Sequence, residues 1–172
     1  MKKQVIYILG AIAIGLFLGN VLTKVEESTP KVVSPFSIID EIDTIHISRG
    51  TYYNPVSSQC DASPLITADG SYIDTNELKS GTLRYVALSW DLINDAYRRK
   101  VAFRKWAWNG KIKFGDTISV HSIKYPQVNG KWVVRDVMNS RYRKTVDFLY
   151  AKSSSPRIGV INDLKIIIKK KI

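Results

Sequence analysis

Two aspartates eleven residues apart, Asp136 and Asp147, are the side chains of this 172-residue sequence whose type and spacing most suggest acid–base chemistry. Asp136 ends the strand-like Trp132-Val-Val-Arg, Asp147 lies within Thr145-Val-Asp-Phe, and the polar loop Asn139-Ser-Arg-Tyr-Arg-Lys runs between them. Two acids leaving adjacent strands at one rim of a sheet can share a cleft. Burial or mutual repulsion there raises the pKa of one and keeps it protonated as a general acid. The competing reading is structural: Asp136 caps a turn and Asp147 pairs with Arg141 or Arg143. Other familiar devices are missing. The chain has no G-x-S-x-G elbow, P-loop, G-x-G-x-x-G or H-E-x-x-H, which argues against serine hydrolases, nucleotide enzymes and zinc proteases. Only His46 and His121 supply imidazoles, and Cys60 is the single cysteine, so neither a zinc site nor an intrachain disulfide is expected.

The elements that must position these acids are mostly strands. Ile45–Tyr53, Leu83–Ser89, Thr117–Ile123, Lys131–Arg135, Thr145–Tyr150 and Leu164–Lys169 are short and rich in β-branched or aromatic residues. Asn129-Gly130 and Asn109-Gly110 each lie between two candidate strands and suit a type I′ hairpin, whose turn needs positive φ angles. One stretch reads as a helix: Ser89 as N-cap, Asp91 in the first turn, Ile93, Tyr97 and Val101 at i+4 spacing, and Arg98, Arg99 and Lys100 toward the end. Trp106 and Trp108 are expected to pack in the core. Six or seven short strands around one helix predict a small, mainly β closed barrel, which leaves no sheet edge exposed.

Ahead of this domain, Val5–Leu22 is an apolar run broken only by glycines and Asn20, long enough as a helix to cross a bilayer. Lys2 and Lys3 precede it and Glu26 and Glu27 follow, so the positive-inside rule puts residues 1–4 in the cytoplasm and everything after the span outside. The expected organisation is a transmembrane signal-anchor at 5–22, a Pro-, Ser- and Thr-containing linker at 23–43 and a domain at 44–172. A cleaved signal peptide and secretion are the alternative, though no A-x-A-like site follows the run. The whole chain carries +11, and +8 remains beyond the three lysines before Val25. That balance favours a polyanionic neighbour, and the outward topology argues against nucleic acid.

Thr51-Tyr-Tyr-Asn-Pro, Gln59-Cys-Asp-Ala-Ser-Pro, Thr67-Ala-Asp-Gly, Val86-Ala-Leu-Ser, Phe114-Gly-Asp and Asp136-Val-Met-Asn-x-Arg, with Asp147 after them, resemble in this order the three-aspartate (3D) domain. That domain belongs with the rare lipoprotein A-like double-psi β-barrels and is related to the barrel of membrane-bound lytic transglycosylase A. The resemblance covers about Gly50 to Lys170. It implies a six-stranded double-psi β-barrel with one short helix and an inserted hairpin, and action on the MurNAc-GlcNAc β-1,4 bond of peptidoglycan. Asp147 matches the family's acid/base and Asp136 its preceding aspartate. Asp61 is preferred over Asp91 as the third, and Tyr53, Thr67, Asn139 and Arg141 are expected to line the cleft. The resemblance implies no cofactor or metal; its partners are cell-wall glycan and, through the N-terminal helix, the membrane. Asp136-Val-Met-Asn departs from the family's usual Asp-Thr-Gly-Gly, Ser89 stands where an aspartate is common, and residues between Trp90 and Lys113 are inserted. A non-catalytic glycan-binding module of the same fold therefore stays open beside the enzyme.

Overall fold

A computed structural model describes residues 42–169; the expected membrane span and most of the linker lie outside them. Among the described residues no helix is long and apolar enough to cross a membrane. The fold is mainly β. Strands β1 (Ile42–Ile47), β2 (Arg49–Tyr53), β3 (Tyr85–Leu88), β4 (Thr117–His121), β5 (Gly130–Val137), β6 (Thr145–Leu149) and β7 (Leu164–Lys169) form one sheet in the order β1-β7-β4-β5-β3-β6-β2. Two short helices, α1 (Thr75–Ser80) and α2 (Ala96–Val101), lie in the connections.

The six strand runs from Ile45–Tyr53 to Leu164–Lys169 are all found, the first as two strands, but the candidate strands flanking Asn109-Gly110 are not. β1 pairs antiparallel with β7 and β2 pairs parallel with β6, so the chain changes partner at Ser48, whose N–H donates to the Lys144 carbonyl at 2.8 Å. β1 begins at Ile42, two residues before the predicted domain boundary. The strand ladders do not run from β2 back to β1, so the expected closure of a six-stranded barrel is not made by strand pairing. One bridge approaches it: Gly50 on β2 and Ile161, just ahead of β7, exchange hydrogen bonds of 2.8 and 2.9 Å.

The core has two parts. The larger gathers Val86, Leu88, Ile118, Val134, Ile166 and their neighbours around Trp132 and Phe148, whose rings stand 4.7 Å apart. Trp132 also satisfies its indole N–H on the Val128 carbonyl at 2.8 Å, so its full burial leaves no polar atom without a partner. The smaller part packs Tyr53, Ile73, Leu78, Leu83, Ala87 and Met138 beneath the far end of β5 and β6.

The predicted helix from Ser89 is replaced by the six-residue α2, N-capped by Asp95, which accepts from the N–H groups of Tyr97 and Arg98. The i+4 stripe fails because Ile93 is buried while Tyr97 is 77% and Val101 70% exposed: they share no packing face. Ser89 is buried instead and takes the Thr145 N–H on its hydroxyl at 3.0 Å. The unpredicted α1 has an Asp74 cap and ends at Gly81 in the left-handed region, φ 79°, and buries only Leu78. β4 and β5 do form an antiparallel hairpin, but residues 122–129 connect them through a short turn of 3-10 helix. Asn129 is extended rather than left-handed, and its amide clasps Ser122 on both backbone groups. The expected second hairpin at Asn109-Gly110 is absent; isolated bridges join Asn94 to Asn109 and Ile93 to Ile112. Trp108 packs on Trp90 at 4.8 Å and belongs to the larger core as expected, whereas Trp106 is half-buried and only packs against it.

Gly110 is needed by this segment. A Cβ there would lie 2.1 Å from the carbonyl carbon and oxygen of Leu92, backbone atoms that cannot swing aside. Gly110→Ala is therefore expected to destabilise the fold by about 1–3 kcal/mol or more, read as a lower denaturant midpoint. Gly159→Ala, where nothing lies within 4 Å, should stay within about 0.5 kcal/mol.

Candidate functional site

β3 lies between β5 and β6, and its Ala87 is in register with Asp136 on one side and Asp147 on the other. The match with Asp136 depends on an irregularity between Val86 and Ala87 that shifts the β3–β5 register. The two acids thus emerge on either side of a single methyl group. That small side chain leaves room above it for an open groove of about 810 Å³. Residues 59–68 form one wall, Met138–Tyr142 the other, and Ala87, Tyr53 and the two aspartates the floor.

The acids are held differently. Asp136 accepts the Tyr53 hydroxyl on Oδ2 at 2.9 Å and the N–H groups of Ala68 and Val137 on Oδ1 at 3.0 and 2.8 Å. Three donors converge on this one carboxyl and fix its orientation. Asp147 has a single side-chain donor, the Thr51 hydroxyl, at 2.7 Å to Oδ1. That bond follows from register, since Thr51 on β2 is the direct partner of Asp147 on β6. Burial pushes the Asp147 carboxyl up to about 6. The Thr51 bond partly restrains the rise, the charge of Asp136 adds to it and Arg49 opposes it. Burial and the neighbouring Asp136 charge also hold the Tyr53 phenol well above its usual range, so it remains a donor.

Neither acid makes an ion pair among the described residues, so the expected alternative of Asp147 bonded to Arg141 or Arg143 is not realised. Arg143 lies over the Trp106 ring at 4.6 Å instead. All seven residues named from the sequence border the groove, in unequal roles. Asp61 is exposed at the rim and takes the Ser63 N–H. Asn139 turns the opposite wall by accepting the Arg141 N–H at 3.1 Å, and the Arg141 guanidinium stacks on Tyr142 while donating to its hydroxyl. Thr67 departs from expectation: it is buried, and its hydroxyl donates to Asp69 at 2.7 Å rather than into the groove. Asp91 stays outside the groove, where it accepts the Lys144 N–H.

Sequence reasoning missed Thr51, although two-residue alternation with Tyr53 on the same strand carries that signal. It also missed Asp69. That carboxylate accepts from Thr67, from the Ser71 N–H and from Arg135 at 3.1 Å, and the Asp69 N–H donates to the Arg135 carbonyl. Burial works against its charge, but these hydrogen bonds outweigh it and hold the carboxyl below its ordinary range. The clasp fixes the turn that delivers the Ala68 N–H to Asp136. Among the described residues no cluster of three or more His, Cys, Asp or Glu side chains is arranged to hold a metal. What the arrangement offers is one protonated acid and one fixed carboxylate on the floor of a groove.

No family model, curated protein or solved structure matches the chain, so the site is read from its geometry. That geometry has a consequence for stability. The folded chain keeps the Asp147 proton up to about pH 6, whereas an unfolded aspartate releases it near 4. Protonation therefore favours the fold below about pH 4, and this contribution is lost as pH rises through about 6. Asp147→Asn, which cannot ionise, should gain on the native chain between pH 4 and pH 7.5 by up to about 3 kcal/mol. Urea unfolding at the two pH values measures it; a difference that does not change with pH contradicts the desolvated carboxyl. Thr51→Val should move the upper edge of that window to higher pH, and Thr51→Ser should leave it in place.

Proposed function

We propose that the groove takes a strand of cell-wall glycan and that Asp147 is the acid and then the base of a lytic transglycosylase-like cleavage. The observation that carries this reading is the state of Asp147: half-buried, with one hydroxyl donor and no ion-pair partner, on the floor of a groove large enough for saccharide units. Its proton is available at near-neutral pH, where a general acid works best. Asp147 gives that proton to the bridging oxygen as the bond from C1 of N-acetylmuramic acid to the oxygen of the next sugar breaks. The 6-hydroxyl of the same muramic acid then attacks C1 and returns its proton to Asp147. One strand becomes a 1,6-anhydro end and a free 4-hydroxyl, with no water consumed. An ordinary glycosidase needs two carboxylates free to act; here Asp136 is committed to three donors, and a reaction needing only one acid fits that arrangement. The charge of Asp136 raises Asp147, the Thr51 hydroxyl orients it, and Arg141 on the rim meets the carboxylates of stem peptides.

The proposed fold is the double-psi β-barrel of the three-aspartate domain. The parallel pairs β2–β6 and β3–β5 around the antiparallel β3–β6 support it, as does the Gly50–Ile161 bridge toward closure. In this reading residues 5–22 anchor the chain in a membrane with the domain on the extracytoplasmic side, or are removed on secretion.

The same groove could hold glycan without cutting it, and Asp136-Val-Met-Asn in place of the family's usual Asp-Thr-Gly-Gly is what favours that second reading. Incubating the full chain with purified cell wall, followed by mass spectrometry, separates the two. Anhydro-muropeptides are expected from the native chain. Asp147→Asn should form them more slowly by about 10²-fold or more. Binding to cell wall without any such product from the native chain overturns the enzymatic reading and leaves the binder.

A further inference from the structure

The chain's only two histidines lie in one cross-strand row. On the sheet, His46 of β1 is the direct partner of Lys165 of β7, and Lys165 is the direct partner of His121 of β4. Directly registered residues point to the same face, and all three are exposed. They border a second cavity of about 300 Å³, away from the carboxylate groove. The next row on this face, Thr44, Ile167, Ser119 and Lys131, contains no acid. One carboxylate, Asp163, does border the cavity. Its oxygens are occupied by the N–H groups of Lys124 and Ile123 at 2.9 Å each and by the Ser122 hydroxyl at 2.7 Å, which hold it well on the ionised side. Those bonds fold the loop after β4 against the cavity and leave the Asp163 charge in place, one negative charge beside three basic groups.

Three basic side chains abreast on neighbouring strands oppose one another when charged. An anion seated over the central one removes that opposition. Each imidazole offers an N–H donor in either charge state, and Lys165 offers three. The outer strands of the row are about 10 Å apart, so the two rings flank the ammonium and donors arrive from three directions. A carboxylate presents its oxygens in one plane, whereas a tetrahedral phosphate presents them around a centre and can meet all three groups. We propose that His46, Lys165 and His121 form a binding site for a phosphate or phosphodiester group, distinct from the groove and independent of whether the groove cleaves glycan. A phosphodiester-bearing polymer, a lipid headgroup and free phosphate share the required chemistry.

The test uses the full chain in non-ionic detergent with ¹³C-labelled histidine. Two imidazole signals are expected, assigned with His46→Gln and His121→Gln. Inorganic phosphate should shift both in a saturable way. Lys165→Gln should weaken that binding about tenfold or more, as loss of a charge-assisted hydrogen bond does, with His121→Gln as the second variant. Asp147→Asn should leave it unchanged, which separates this site from the groove. Soluble poly(glycerol phosphate) and phosphatidylglycerol added to the micelles identify the source by whichever displaces inorganic phosphate at the lower concentration. Absence of a saturable shift in either imidazole, or equal binding by Lys165→Gln, overturns the proposal.

Discussion

A carboxyl group partly withdrawn from water with only one hydroxyl to meet it is the feature around which the rest of this domain is arranged. Ionisation of Asp147 would place a charge beside Asp136, with a single donor to stabilise it. Arg49, two residues before Thr51 on β2, gives only slight relief, and the Asp136 charge adds to the cost. The proton therefore stays on to about pH 6. Asp136 is equally close to the groove but meets three donors, so the environments of two like residues diverge. Such divergence divides acid from base in paired carboxylates generally.

The scaffold supplies this asymmetry through register and packing. β3 separates the two acids by one strand, and the shift at Val86/Ala87 brings Asp136 level with Asp147. A larger residue than Ala87 would fill the floor of the groove. The smaller core, with α1 contributing Leu78, packs behind this floor and holds Tyr53 where its hydroxyl reaches Asp136. The Asp69–Arg135 clasp then fixes the Thr67–Gly70 turn from the other side. Asp147 thus depends on strand pairing alone, whereas Asp136 depends on a loop as well.

Much of this was legible in the sequence, for physical reasons that also explain the gaps. Strand runs were readable because β-branched and aromatic residues mark a pleated, half-buried surface. Alternation does not record a change of partner, so Ile45–Tyr53 read as one strand although β1 and β2 pair on different sides of the sheet. The Ile93, Tyr97 and Val101 stripe imitated a helix, but only Ile93 had a core to face. α1 carried its own cap signals in Asp74 and Gly81, yet six residues with one buried leucine give no periodicity. Asn129-Gly130 marked the β4–β5 connection correctly and its turn wrongly, because the asparagine serves as a side-chain brace. At the site, the ordered motifs brought Asp61, Tyr53, Asp136, Asn139, Arg141 and Asp147 to one groove. The hydrogen bonds that set the two acids apart, from Thr51 and from the Ala68 N–H, cross long stretches of chain and leave no local pattern.

The most direct test of the central claim is the titration of the Asp147 carboxyl carbon by ¹³C NMR on the full chain, assigned with Asp147→Asn. A midpoint near 6 is the result predicted for a desolvated acid beside a charged partner. A midpoint at or below about 4, the value of an aspartate in water, would contradict it and remove the proton donor on which the proposed chemistry rests.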